Sequence, residues 1–266
     1  MTKAAGESSA DARASAAKFP RLRRMVIQTG KRALRRVGQF QARHSLVGTT
    51  PVLDNAEFPW VADLEQATAR IQAELDAVLS RIDDVPAFHQ LSPDQHRISK
   101  GNNWKTYAFY IFGKPVTENC QACPYTAELL SSLPSLQNAW FSILAPRYHI
   151  PPHRGPTRAL IRCHLGLRVP AERERCWLRV DDQICTWEEG RCLVFDDTYE
   201  HEVKNDTDEV RVVLFLDFDR PMDLPGRLFN RLLLRVVRSS AYVKDPLRNL
   251  AAWNANLRNR DRAAKD

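Results

Sequence analysis

What the chain lacks narrows its chemistry first. It has no run of about eighteen uncharged apolar residues, the length a helix needs to cross a bilayer, and its first residues lack the apolar stretch of a secretory signal. The expectation is a protein kept inside the cell, in the cytoplasm or peripherally on the cytoplasmic face of the membrane. An Ala- and Arg-rich start imitates an organelle transit peptide, but Glu7 and Asp11 argue against one. Six cysteines are too few for 266 residues to form a disulfide scaffold. Four of them lie in strand-like segments, where a small reduced thiol packs well. Cys120 and Cys123 make one C-x-x-C pair, but no second pair follows at zinc-ribbon spacing, so structural zinc is not expected.

Charge is present but unevenly placed. The net charge is +7, yet residues 1–47 hold eleven Lys or Arg against two acids, and residues 222–266 hold ten against four. The middle of the chain is therefore acidic. A nucleic-acid enzyme would carry its basic residues around the site rather than in the flanks, so no nucleic-acid partner is expected. An anionic membrane surface suits basic flanks better.

Three segments follow from the patterning. In residues 1–47, the first eighteen are Ala-, Ser- and Lys-rich and are expected to be disordered. From Pro20, Leu22, Val26, Thr29, Ala33, Val37 and Phe40 recur at helical spacing, among Arg24, Lys31, Arg32, Arg35 and Arg36. This basic amphipathic helix either docks on its own domain or adsorbs to anionic lipid.

Residues 48–221 form the expected catalytic domain. Residues 44–59 read as a linker, 61–83 as one helix, 104–112 as a strand and 124–133 as a short helix. Asn102, Asn103 and Lys105 are candidates to hold substrate near a mouth. A β core occupies about 139–221, with strands near 139–146, 159–168, 176–180, 183–187, 191–196 and 209–218. Turn signals such as Pro151-Pro152, Asp181-Asp182 and Glu189-Gly190 separate them. Short strands so spaced argue for a sandwich or barrel, with Trp177 and Trp187 packing its sheets.

Residues 222–266 form a basic amphipathic C-terminal segment. Arg227, Arg231, Arg235 and Arg238 make one stripe, and Leu228, Leu232 and Val236 make an adjacent apolar one. Residues 246–266 are expected to be loosely ordered, with Trp253 as an anchor.

The chemistry gathers between Trp140 and Pro221. His153 and His201 lie 48 residues apart with β-like sequence between them and form a candidate metal pair. Imidazole suits iron, zinc and copper, and two histidines with open positions suit an oxygen-activating ferrous centre. Residues i and i+2 of a strand share a face, so Arg162 and His164 can present two donors to one ligand, while Cys163 faces the other way. Arg211 opens a further apolar strand. Paired arginines hold a dicarboxylate by forked hydrogen bonds.

The segment from Ser142 to Pro221 resembles the catalytic domain of the aspartyl/asparaginyl β-hydroxylase family of iron(II)- and 2-oxoglutarate-dependent dioxygenases. The resemblance extends faintly back to Asn119-Cys120 and Cys123-Pro124-Tyr125-Thr126. It implies a mainly β fold with flanking helices, a double-stranded β-helix or cupin-like jelly roll. It further implies that His153 and His201 ligate iron, that Arg162 and His164 hold the C1 carboxylate end of 2-oxoglutarate, and that Ser142 and Arg211 hold its distal carboxylate. Leu144 and Val203 would line the same pocket. Most enzymes of the wider superfamily carry an acid two residues after the first histidine. Here that residue is Gly155, an absence the β-hydroxylases share. Asp196 and Asp197 precede His201 and are expected to orient it rather than to ligate.

The resemblance implies hydroxylation of an unactivated C–H bond with dioxygen and 2-oxoglutarate as cosubstrates. Three substrates are open: C2 of a fatty acyl chain on ornithine lipid or lipid A, as in small bacterial relatives of similar layout; an Asp or Asn residue in a protein; and a free amino acid. The lipid suits the basic flanks and the absence of an added protein-recognition domain. Two readings of other kinds stand beside these, a catalytically silent lipid- or protein-binding module and a cupin-like isomerase. The second leaves Arg162 and Arg211 without a reason.

Overall fold

Short apolar segments separated by turn signals recur from Leu136 to Asp219, and in the computed structural model, which describes residues 36–263, they become the wall of a barrel. The described residues form ten strands: β1 (Trp104–Ile111), β2 (Lys114–Pro115), β3 (Leu136–Leu144), β4 (Tyr148–His153), β5 (Leu160–Arg168), β6 (Cys176–Val180), β7 (Gln183–Thr186), β8 (Cys192–Phe195), β9 (His201–Asn205) and β10 (Arg211–Asp219). They make a six-stranded sheet, β2-β1-β3-β10-β5-β8, and a four-stranded one, β4-β9-β6-β7. All pairings are antiparallel. From β3 to β10 the chain crosses repeatedly between the sheets, which is the winding of a double-stranded β-helix.

The large sheet separates two apolar regions. Its outer face, with Phe141, Ile143, Cys163, Leu165, Leu214 and Leu216, meets the helices Trp60–Gln66, Thr68–Leu79 and Pro124–Ser132 through Leu64, Ile71, Leu75 and Leu130. Burying each such Leu or Ile side chain is worth roughly 1.5–3 kcal/mol. Its inner face joins Ile150, Cys176, Leu178, Val180 and Val203 of the small sheet inside the barrel. Cys163 is fully buried on the outer side, opposite Arg162 and His164. Trp187 packs inside the barrel at 1% exposure, whereas Trp177 lies half-buried outside it, because Cys176, Leu178 and Val180 take the inward phase of β6.

Several sequence expectations change. The helix expected over 61–83 is two helices broken at Ala67, where the Thr68 hydroxyl donates back to the Glu65 carbonyl at 2.7 Å and competes with the helical ladder. The expected linker is a strap: Leu53 is buried, its N–H donates to Val194 O, and Asp196 N–H donates to Pro51 O. Lys105 lies on the outer face, with Nζ donating to Ile82 O at 2.6 Å, and Asn103 bonds the Lys100 carbonyl; neither reaches the barrel interior. The C-terminal segment is ordered to Ala263 as two helices, Leu224–Ser239 and Ala241–Ala263. Trp253 Nε1 donates to Asp84 O, Asn249 to Leu91 O, and Arg258 pairs with Glu118. Of the N-terminal basic helix, residues 36–43 are helical as expected; the disordered tail and the rest of that helix lie outside the described residues.

The strap is locked by a fully buried ion pair. Arg220 Nη2 meets Asp196 Oδ2 at 2.5 Å, while other Arg220 nitrogens donate to Gly48 O, Ser45 Oγ and Arg158 O. Removing one member of such a pair strands a buried charge. Asp196→Ala is expected to lose about 3–5 kcal/mol of unfolding free energy, measured as a drop in the urea midpoint, with Asp196→Asn losing less.

Candidate active site

Strand register brings the expected site residues into successive rungs inside the barrel. Across the large sheet, Asn138, Asp217, Arg162 and Phe195 share one rung; Trp140, Phe215, His164 and Leu193 share the next. Deeper still come Ser142 with Val213, then Leu144 with Arg211. The small sheet runs parallel to this order, with His153, His201 and Val180 on one rung and Ile150, Val203 and Leu178 on the next.

The two histidines reach each other through a defect in an edge strand. Pro151 and Pro152 cannot donate to a ladder, and β4 tolerates them because it lies at the edge of its sheet. The pairing slips between Ile150 and His153. That extra residue inverts the inward-outward phase, so Ile150 and His153, three residues apart, both face in opposite Val203 and His201. The imidazole centroids lie 4.2 Å apart. His153 Nδ1 lies 2.8 Å from Pro151 O and His201 Nδ1 lies 3.0 Å from Tyr199 O. A carbonyl accepts only, so each Nδ1 carries the proton and each Nε2 keeps its lone pair. Burial holds both rings neutral, lowering His153 to about 4 and His201 to about 3. Two neutral imidazoles with unprotonated Nε2 atoms on neighbouring strands of one sheet can take a metal ion. No group of three or more His, Cys, Asp or Glu side chains suited to a metal is found among the described residues.

The position two residues after His153 is filled from elsewhere. A Cβ built on Gly155 collides with the Asp197 carboxylate, and Gly155 N–H donates to Asp197 O at 2.7 Å. Asp197 is buried and pairs with Arg162 at 2.9 Å; burial raises its carboxyl to about 6 despite that guanidinium. Asp196 faces Arg220 instead, and also accepts from Thr198. Gly155→Asp, which adds the acid this position lacks, is therefore expected to fail. We expect it to cost about 1–3 kcal/mol through overpacking and to weaken metal binding, checked by thermal unfolding and manganese(II) titration.

Arg162 is engaged more heavily than its sequence suggested. Nε meets Asp217 at 2.9 Å, Nη2 meets Asp197, and the guanidinium lies 4.2 Å over the Phe215 ring. Its Nη1 engages neither acid. Asp217, held also by Asn138 at 2.9 Å, was not foreseen. Its signal was present as an acid within an apolar strand, in phase with Arg211.

Arg211 is the reverse case. It is 1% exposed and has no ion-pair partner among the described residues. Nη1 reaches Ser142 O at 3.3 Å and Ser142 Oγ at 3.5 Å, Nε has no partner, and the guanidinium lies 4.6 Å from the Trp187 ring centroid. Burial lowers its pKa to about 10. Beside it, both nitrogens of His164 are buried without partners, as is Trp187 Nε1. Buried polar groups are ordinarily satisfied. An unpaired cation with uncommitted donors around it forms a socket for an anion brought by a ligand, and a carboxylate fits that donor set.

In front of this socket lies an apolar cavity of about 440 Å³. His153, Arg162 and Asp197 border it on the barrel side, with Phe88, Leu91, Ile98, Trp104, Leu233 and Val237 among its other walls. Trp140 and Phe215, stacked at 4.0 Å, stand between cavity and socket. Cys120 and Cys123 lie outside this region; Cys123 is buried, and its thiol is pushed up to about 12 by desolvation.

A family model described as "Aspartyl/Asparaginyl beta-hydroxylase" matches residues 65–221. The "Ornithine lipid ester-linked acyl 2-hydroxylase" of Rhizobium tropici is 42% identical over 211 residues, covering 79% of this chain and 75% of that protein. The human "Aspartyl/asparaginyl beta-hydroxylase" is 33% identical over 134 residues, which is 48% of this chain but 17% of the human protein. Among solved structures, a Pseudomonas putida prolyl-4-hydroxylase aligns over 60% of this chain and 98% of its own, at 15% identity and a TM-score of 0.37.

Proposed function

Because the chain belongs to the aspartyl/asparaginyl β-hydroxylase family, we propose that it is an iron(II)- and 2-oxoglutarate-dependent dioxygenase that hydroxylates C2 of a fatty acyl chain on a membrane lipid, with ornithine lipid as the substrate class. The observation that carries the acyl reading is the cavity at His153, where Phe88, Leu91, Ile98, Trp104, Leu233 and Val237 give a hydrocarbon chain an apolar surface beside polar residues such as Arg97 and Arg154. The relative acting on ornithine lipid, similar over most of both chains, supports the same class.

His153 and His201 would hold iron through Nε2, oriented by the carbonyls on Nδ1. Iron(II) with 2-oxoglutarate and dioxygen supplies the oxidising power to hydroxylate an unactivated C–H bond, coupled to decarboxylation of 2-oxoglutarate to succinate. Arg211 and Ser142 would grip the distal carboxylate at the deep end of the barrel, with the Arg211 charge neutralised on binding. His164 and the free Nη1 of Arg162 would orient the C1 end, and Leu144 and Val203 would exclude water around it. Positioning and dryness are this protein's share of the work. The acyl chain would lie along Phe88, Leu91, Trp104 and Leu233, with C2 near the histidine rung.

The test uses the full chain with ornithine lipid in detergent micelles, iron(II) and 2-oxoglutarate, followed by mass spectrometry. One oxygen gained at acyl C2, matched by succinate and lost when iron(II) or 2-oxoglutarate is omitted, is expected. Oxidation of Asp- or Asn-containing peptides with the lipid unchanged rejects the acyl substrate. No succinate from any substrate rejects the dioxygenase.

A further inference from the structure

The helix Leu224–Ser239 has two occupied faces and one that nothing among the described residues covers. Inward, Asn230 and Leu234 are buried, and Leu233, Leu234 and Val237 wall the cavity that reaches His153. On a second side, residues 36–43 pack against it: Phe40 and Phe229 lie 4.8 Å apart, Gln41 donates to Asn230 at 3.0 Å, and the following His44 meets Asp223 at 2.9 Å. Outward, Leu224, Leu228, Leu232 and Val236 are 59%, 56%, 62% and 60% exposed. Side chains four apart are neighbours on a helix surface, so these four make one continuous apolar strip. Arg227, Arg231 and Arg235 run beside it, exposed and without ion pairs among the described residues. Arg36 and Arg43 are exposed on the helix packed alongside. Leu46, 68% exposed, lies where the strap meets the start of this helix, its N–H bonded to Pro221 O.

We propose that this face rests in the surface of an anionic phospholipid bilayer, with the leucine strip at the acyl boundary and the arginines among the phosphates. Charge decides for this occupant. A second copy of the same face would bring like-charged arginine rows together, whereas anionic lipid complements them, and the flanking segments are both strongly basic while the middle of the chain is acidic. Position supports it too. One helix carries the exposed strip on one side and a cavity wall on the other, so docking sets the cavity entrance beside the leaflet that supplies acyl chains. The inference deepens the acyl-hydroxylase reading and takes its purpose from it, although the docking is measurable without turnover.

The experiment is co-sedimentation of the full chain with vesicles of phosphatidylcholine alone or mixed with phosphatidylglycerol. Wild type is expected to bind the mixed vesicles and to be released by salt. Leu228→Ser/Leu232→Ser should weaken that binding by roughly tenfold or more, and Arg231→Gln/Arg235→Gln should remove the preference for anionic over neutral vesicles. Both variants should keep the wild-type thermal midpoint and the wild-type rate on detergent-dispersed lipid, and lose activity on vesicle-borne lipid. The proposal is overturned if wild type ignores anionic vesicles, or if both variants bind as wild type does and another segment carries the adsorption. It is also overturned if the leucine variant turns a dimer into a monomer, which would make the strip an interface between copies. Vesicle binding that follows the expected pattern without lipid hydroxylation leaves the docking standing and removes the acyl reading alone.

Discussion

His201→Ala is expected to abolish oxygen incorporation and succinate formation and to remove a metal-dependent rise in thermal stability that wild type shows. The imidazole lone pairs decide this outcome. Both rings are neutral, and both donate from Nδ1 to a backbone carbonyl, so the lone pairs that could hold a metal sit on the two Nε2 atoms. No further His, Cys, Asp or Glu completes a three-residue metal group among the described residues, so loss of one histidine halves the protein's ligand set. A metal that binds only the folded state stabilises it by about 2.7 kcal/mol at a hundredfold excess over its Kd. Thermal unfolding with manganese(II), a redox-quiet substitute for iron(II), should show that rise in wild type and not in His201→Ala. An unchanged rise would move the metal away from His201, whatever the activity. Circular dichroism of the variant guards against simple misfolding.

Arg211→Met is expected to make the protein more stable and nearly inactive at once. A buried guanidinium that meets, among the described residues, Ser142 oxygens and an indole face but no acid is a standing cost in the absence of ligand. Replacing buried charge with an apolar side chain of similar length is often neutral or stabilising by about 1–4 kcal/mol. Losing the forked partner of a buried carboxylate should raise the KM for 2-oxoglutarate by roughly a hundredfold, about 2.7 kcal/mol. Wild type should gain thermal stability on adding 2-oxoglutarate and the variant should not. A variant that is destabilised and still stabilised by 2-oxoglutarate would show that Arg211 belongs to the core and not to the cosubstrate. The readout separates the two roles because only an arginine that grips the cosubstrate carries the stability that added 2-oxoglutarate confers.

Much of this molecule was open to reading along the chain. The wall strands β3, β5, β6, β8 and β10 announce themselves as short apolar or β-branched runs bounded by turn signals, and their bounds fall within three residues of expectation. Arg162 and His164 share a face because i and i+2 must, and the burial of Cys163 on the other side follows from the same rule. The strands carrying the two histidines were harder to see. β4 contains two prolines and pairs only at an edge, and β9 is five residues long with charged outward positions. Strand character there comes from the neighbour it bonds to rather than from its own propensity.

Local pattern therefore determined a β sandwich or barrel with flanking helices and the shared face of Arg162 and His164, while the jelly-roll winding and the order of site residues came from the family resemblance. Tertiary structure alone decided their electrostatic standing. Arg162 and Arg211 look alike in sequence, each within an apolar strand, yet Asp197 and Asp217 converge on the first from the turn after β8 and from β10, while the second meets hydroxyl, carbonyl and indole and no acid among the described residues. Likewise Gly155 reads as an absence, and only packing shows that a carboxylate from 42 residues downstream occupies the space its side chain would need. The C-terminal helix looked amphipathic from its sequence, but which of its apolar residues stay uncovered depends on what folds against it. Register and burial bring charges together across the chain, and those distances are set by the whole barrel rather than by any one stretch.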